Sequence, residues 1–148
     1  MPTTPTHDCS TSYPLTPRSV RLARLHTRRR LTMWQWPGDI DDAVLVTSEL
    51  VSNAVRHGRL PGHELWLRIT VLDGGMLNID VSDPLRRFPV IGEGRLEAEG
   101  EGGRGLLLVG RLAVELDWFL RADVGKTVRA RMAPTRWGVS SELLLKKG

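Results

Sequence analysis

The sequence has very little cysteine: Cys9 is the single thiol in 148 residues. That excludes a disulfide framework and a thiolate metal cluster within the chain. Long apolar runs are missing too, so no stretch reads as a membrane span. The opening residues, Met1-Pro2-Thr3-Thr4-Pro5-Thr6-His7-Asp8, lack the basic region and apolar core of a secretory signal. There are no internal repeats. These absences together point to a cytoplasmic protein with no membrane partner.

What is present is ordinary globular composition, 41% hydrophobic and 26% charged, at a length suited to one domain with a genuine core. The net charge of +4 raises nucleic acid as a partner. The excess is mostly arginine, densest at Arg18, Arg21, Arg24, Arg28, Arg29 and Arg30. No aromatic interleaving or groove-reading motif accompanies this cluster, so a solvated helix face accounts for it better than a nucleic-acid surface. A basic nucleic-acid-binding protein stays as a rival, and it predicts steeply salt-dependent binding lost with Arg28, Arg29 and Arg30.

Residues 1–12, rich in Pro, Ser and Thr, read as a disordered tail. Tyr13 to Leu15 suggests a short edge strand, followed by a first helix with Pro17 in its first turn and a ragged apolar face. Trp36-Pro37-Gly38 breaks that pattern. A second helix of about 16 to 18 residues follows, opened by Asp39, Asp41 and Asp42 and closed by Gly58 as a C-cap. The period then changes to two. Leu65, Leu67, Ile69 and Val71 form a strand, Asp73-Gly74-Gly75 a turn, and Leu77, Ile79 and Val81 the return strand. Between Asp83 and Arg104 a glycine-rich acidic loop reads as a lid or a linker. A short helix spans Gly105 to Leu112, and a second hairpin pairs Val114–Leu120 with Val128–Met132 across Asp123-Val124-Gly125-Lys126. Residues 13–133 thus make one α+β domain, a two-layer sandwich of a mixed, mainly antiparallel sheet with its helices on one face. Residues 134–148 read as a basic C-terminal tail.

Glu49 and Asn53 lie four apart on the second helix and therefore share a face. A carboxylate above a carboxamide suits a hard cation and a hydroxyl or water in need of a base, although a solvated polar stripe has the same spacing. Gly125-Lys126-Thr127 imitates the end of a P-loop, but Leu120 stands where its first glycine is required. Gly100-Glu101-Gly102-Gly103-Arg104-Gly105 matches the dinucleotide fingerprint without the buried parallel strand that fingerprint needs. Its physics survives: glycine amides entering a helix N-terminus make a phosphate cradle, and a linker before a core helix remains the alternative.

These pieces in this order resemble the GHKL ATP-binding fold shared by gyrase, the heat-shock chaperone, histidine kinases and MutL. Within it they are most similar to bacterial anti-sigma-factor serine/threonine kinases and their stand-alone actinobacterial relatives. The resemblance covers residues 13 to 133. Glu49-Leu50-Val51-Ser52-Asn53-Ala54-Val55-Arg56-His57-Gly58 matches the N-box, and Val81-Ser82-Asp83-Pro84 sits where the first glycine box lies. Gly102-Gly103-Arg104-Gly105-Leu106 matches the second, and Gly125-Lys126-Thr127-Val128 resembles the final threonine box.

The resemblance implies ATP and Mg²⁺ as cofactors. Asn53 would hold Mg²⁺, and Glu49 would orient and deprotonate the acceptor. Asp83 would accept a hydrogen bond from the adenine amino group. Gly102, Gly103 and Gly105 would bring backbone amides to the phosphates, with Arg104 adding charge. Leu106 and Gly125 fall within the matched boxes and count with the nucleotide-binding residues, and Thr127 would support the adenine end through water. For His57 a packing or capping role at the helix end fits better than a catalytic one.

The implied activity is a serine/threonine protein kinase in a partner-switching pathway. Its substrate would be a STAS-like anti-sigma-factor antagonist, its second partner a sigma factor or similar regulator, and its assembly a homodimer. A non-catalytic ATP-dependent interaction switch is the alternative. A histidine kinase is disfavoured, because no separate helix pair carries a phospho-acceptor histidine and His26 sits in a ragged basic helix. The chain departs from the family pattern after Asp83, where Pro84-Leu85-Arg86-Arg87 replaces a glycine-containing turn, and in a lid that is short and acidic.

Overall fold

The computed structural model describes residues 4–57, 60–86 and 101–134, the first four of the last stretch by backbone alone. Gly58 as a C-cap, most of the expected lid and the C-terminal tail lie outside the described residues. The elements run β1 (Pro5–Pro14), α1 (Pro17–Met33), α2 (Ile40–His57), β2 (Glu64–Leu72), β3 (Leu77–Asp83), α3 (Glu101–Leu112), β4 (Glu115–Leu120) and β5 (Lys126–Met132). The strands form one sheet in the order β1-β2-β3-β5-β4. Every neighbouring pair is antiparallel, so the sheet has no parallel component. The helices cover one face, which gives the expected two layers.

The helix α2 organises the core. Asp39 Oδ1 accepts the Asp42 N–H at 2.9 Å, an N-cap that satisfies one of the free donors of the first turn. Asp41 and Asp42 at this end, with Arg56 and His57 at the other, complement the helix dipole. Its apolar side, including Val46, Leu50 and Val51, packs on Leu67, Ile79 and Val81 of the sheet, all at most 2% exposed. Each such side chain contributes on the order of 1.5–3 kcal/mol by leaving water.

Pro17 occupies the start of α1, where its missing N–H removes no helical bond. The buried stripe of this helix is Ser19, Ala23, Thr27 and Leu31, spaced by four along the face against α2. The arginines fall on the remaining surface, where Arg28 pairs with Asp41 at 2.9 Å. That exposed pair adds little stability. After α1, Trp36 turns inward, 4% exposed, and its Nε1–H donates to the Gly75 carbonyl at 2.8 Å. The break read at Trp36-Pro37-Gly38 is therefore a pin between the helix pair and the β2–β3 turn.

The first strand corrects the sequence reading. Residues expected to be a disordered tail pair with β2 from Pro5↔Leu72 to Pro14↔Glu64. Few of them are apolar, so the strand carries no local signal. Cross-strand bonds hold it instead: the Arg68 guanidinium donates to both Asp8 oxygens at 2.9 and 2.8 Å, and Thr6 Oγ1 donates to the Val71 carbonyl at 3.1 Å. The Arg68 hydrogen bonds also hold the Asp8 carboxyl below its usual range. A depressed folded value makes this contribution complete above about pH 4 and lost as pH falls through the folded value. Hydrogen exchange between about pH 5 and 2.5 is expected to show β1 amides losing protection before those of β3. Arg68→Gln should erase that difference, and equal loss in both strands would refute the assignment.

Among the described residues no helix is long and apolar enough to cross a membrane.

Candidate functional site

The polar side chains of α2 break its apolar face at one end. Asn53 is 8% exposed and its amide makes no hydrogen bond among the described residues, whereas the one fully buried side-chain polar atom left unpaired among them is Thr27 Oγ1. The Asn53 amide thus keeps contact with the surface, where its oxygen can accept and its NH₂ can donate to a ligand. One turn earlier, half-buried Glu49 meets the start of α3. A β-carbon at Gly105 would fall on Glu49 Oε1, so glycine there leaves room for the Glu49 carboxylate that a larger residue would push aside. The structure therefore sets Glu49 of α2, one turn from Asn53, against Gly105 of α3.

The helix α3 begins earlier than its apolar run indicates. It includes Gly102, Gly103 and Arg104 in its first turn, where glycine's poor helix propensity hides it from a sequence reading. The backbone N–H groups of residues 101–103 have no intrahelical acceptors, and the positive end of the dipole adds to their pull on an anion. Leu106 and Val109, at 2% and 0% exposure, anchor this end in the core. Leu106 thus acts as an anchor for the helix.

At the end of β3, Asp83 is 3% exposed and lies opposite Lys126. Lys126 Nζ donates to Asp83 Oδ1 at 3.0 Å and Oδ2 at 2.9 Å, and to the Leu85 carbonyl at 3.4 Å. The Leu85 N–H donates to Asp83 Oδ1 at 2.9 Å. Pro84-Leu85 thus supplies a tight turn that bonds back to Asp83 where the family pattern has glycine. Gly125 completes the corner: its φ is +78°, and a β-carbon there would collide with the Asp83 carbonyl oxygen. Lys126 and Asp83 form an ion pair with side chains only 3% and 4% exposed. Removing one partner of such a pair typically costs about 3–5 kcal/mol.

Sequence reasoning had assigned the adenine end to Thr127. Side chains alternate along a strand, so Lys126 shares the inner face with Asp83 while Thr127 faces outward with Ser82. The Thr127 and Ser82 hydroxyls are 2.7 Å apart. Lys126 was the residue missed, and the same alternation that located Val128 and Ala130 in the core would have found it.

Among the described residues no group of three or more His, Cys, Asp or Glu could cage a metal. One unpartnered amide beside a carboxylate and a helix N-terminus suits instead a small hard cation brought in with phosphates, since Mg²⁺ keeps waters and phosphate oxygens among its ligands. A two-layer α+β domain with these groups at one end of its helical layer is a nucleotide-binding module.

Comparison with known proteins makes the class specific. The family model of the histidine kinase-like ATPase domain matches residues 13–132, and the chain belongs to that family. ATP is accordingly its ligand. The fold is shared with the RsbU and RsbW domains of Rv1364c from Mycobacterium tuberculosis, with a TM-score of 0.62 and 21% identity. That match covers 87% of this chain and 33% of the other, so the chain spans about a third of that structure. It is shared also with the SiaB–SiaC complex from Pseudomonas aeruginosa, with a TM-score of 0.61, 17% identity, and coverage of 84% and 88%. No curated protein matches the sequence significantly.

Proposed function

We propose that the chain is a Mg-ATP-dependent serine/threonine protein kinase acting in a partner-switching pathway. The observation that carries this reading is the Asn53 amide, free of protein hydrogen bonds among the described residues and one helical turn from a Glu49 carboxylate that meets Gly105 at the start of α3. Asn53 would hold Mg²⁺, which when bound neutralises charge on the phosphates as it spreads during transfer. The α3 amides, with Gly102 and Gly103 leaving them uncovered, would cradle the phosphates, and Arg104 would add charge. Asp83 would accept the adenine amino hydrogen. Glu49 would take the proton from the attacking serine hydroxyl as the γ-phosphoryl group moves to that oxygen and ADP departs.

The substrate in this reading is a small STAS-like anti-sigma-factor antagonist, with a sigma factor or similar regulator as second partner. Fold likeness to the RsbW domain and to SiaB, the latter solved as a complex with SiaC, supports that choice. A homodimer in the cytoplasm is the expected state.

Calorimetric titration with ATP tests the reading. Binding is expected to strengthen with Mg²⁺, and Asn53→Ala should remove that gain of about tenfold or more, the equivalent of one lost metal ligand at about 1.4 kcal/mol. Absence of binding under every condition would sink the proposal. Binding that ignores both Mg²⁺ and Asn53 would remove the metal assignment.

A further inference from the structure

We infer that Lys126 sets the base preference of this nucleotide site by fixing Asp83 in one direction as an acceptor-only carboxylate. The inference rests on the reading of Asp83 as the adenine contact. Four hydrogen bonds organise this corner, and three of them come from Lys126 Nζ. Asp83 Oδ1 already takes two donors, Nζ and the Leu85 N–H, whereas Oδ2 takes Nζ alone among the described residues. Oδ2 is therefore the oxygen with capacity left for a ligand.

An ionised carboxylate accepts and cannot donate. Adenine offers an amino group at position 6 and meets that oxygen productively. Guanine offers a carbonyl oxygen at the same place, so acceptor would face acceptor. The discrimination depends on Asp83 being held with that oxygen towards the base, and Lys126 supplies two of the three hydrogen bonds that hold the carboxylate.

Among the described residues, the cations on the flanking strands are already engaged. On β5, Arg129 is bound to Asp80 and Arg131 to Asn78 and Glu115, all on the outward face. On β2, Arg68 is bound to Asp8. The helix α2 carries Arg56 and His57 in its last turn, both already engaged, and Glu49, whose charge has the wrong sign. Without Lys126, Asp83 would keep only the Leu85 N–H among the described residues, and its carboxylate could turn away from the base.

A lysine that merely stabilised the corner would behave differently. Its loss would weaken ATP and GTP together and leave their ratio unchanged. Calorimetric dissociation constants for ATP and GTP, measured on the full chain with Mg²⁺, separate the two roles. The parent protein is expected to prefer ATP by about 10- to 100-fold, the size of one buried acceptor left facing another. In Lys126→Met the ratio should fall to within about threefold, through weaker ATP binding, because ATP loses its oriented acceptor whereas GTP has none to lose.

Asp83→Asn, with Lys126 in place, gives a second reading should the first variant fail to fold. Lys126 can only donate, so it would hold the amide oxygen and leave the amide NH₂ for the base. The preference should then invert towards GTP. An unchanged ATP-to-GTP ratio in folded Lys126→Met, or retained ATP preference in Asp83→Asn, would overturn the inference. Equal affinity for the two nucleotides in the parent protein would instead overturn the assignment of Asp83 to adenine, and no nucleotide binding at all would overturn the proposed function.

Discussion

Glu49→Ala is expected to lower phosphoryl transfer by about 10²–10⁴-fold, the contribution typical of a positioned general base, while ATP affinity changes by less than about threefold. The separation follows from where the residue sits. Glu49 lies at the α2–α3 contact, touching Gly105, whereas the adenine acceptor Asp83 lies at the end of β3 and bonds to β5. Losing the carboxylate removes no phosphate cradle and no base contact. It also opens space beside α3, so no steric conflict obscures the result. Single-turnover hydrolysis of radiolabelled ATP reads the step without an identified protein substrate, because water can serve as acceptor. Parallel calorimetry reads the binding. Transfer at the parental rate would remove Glu49 as the base. Loss of transfer and binding together would make it a structural prop for α3.

Gly125→Ala should destabilise the domain by about 3 kcal/mol or more and take ATP binding with it. Two penalties coincide at this position. The residue has φ of +78°, where a side chain is strained, and the added carbon collides with backbone at Asp83 and Pro84. Backbone on both sides cannot move aside as a flexible side chain would. Gly74 supplies the control, since its φ is +96° but nothing lies within 4 Å of where a β-carbon would stand. Gly74→Ala should therefore show strain alone, about 1–2 kcal/mol. Urea denaturation of both variants isolates the collision as the difference between them. If the two variants lose equal stability, the close approach of Gly125 to Asp83 is not a feature of the folded protein.

Much of the fold was legible because two periodicities were clean. The helix α2 carries its apolar residues at helical spacing between acidic and basic ends, and the β2–β3 hairpin alternates without error on both sides of a Gly-Gly turn. The N-box was legible only through the family resemblance of Glu49 to Gly58, since the spacing of Glu49 and Asn53 by itself also fits a solvated polar stripe. What stayed hidden depended on partners distant in sequence. The α1 face looked ragged because its buried stripe includes Ser19 and Thr27, chosen by size for close helix contact and invisible to a count of apolar residues. The first strand was missed because its pairing information lies in β2, through Arg68 and the Val71 carbonyl. The start of α3 was obscured by glycines whose propensity is overridden by the packing of Leu106 and Val109. Lys126 was passed over because a charged residue in a threonine-box likeness draws attention to the threonine. Only the strand register reveals which of the two faces Asp83.

The order of the strands also bears on how the chain folds. The two hairpins, β2–β3 and β4–β5, join strands that are close neighbours in sequence and can form locally. The first strand has no such neighbour: its Thr6 bonds to Val71 across a separation of 65 residues, with both α1 and α2 in between. Closing so long a loop before its contacts form carries an entropic penalty that local hairpins avoid. The strand synthesised first is thus the natural last addition to the sheet, waiting until the helix pair has docked and β2 offers its edge.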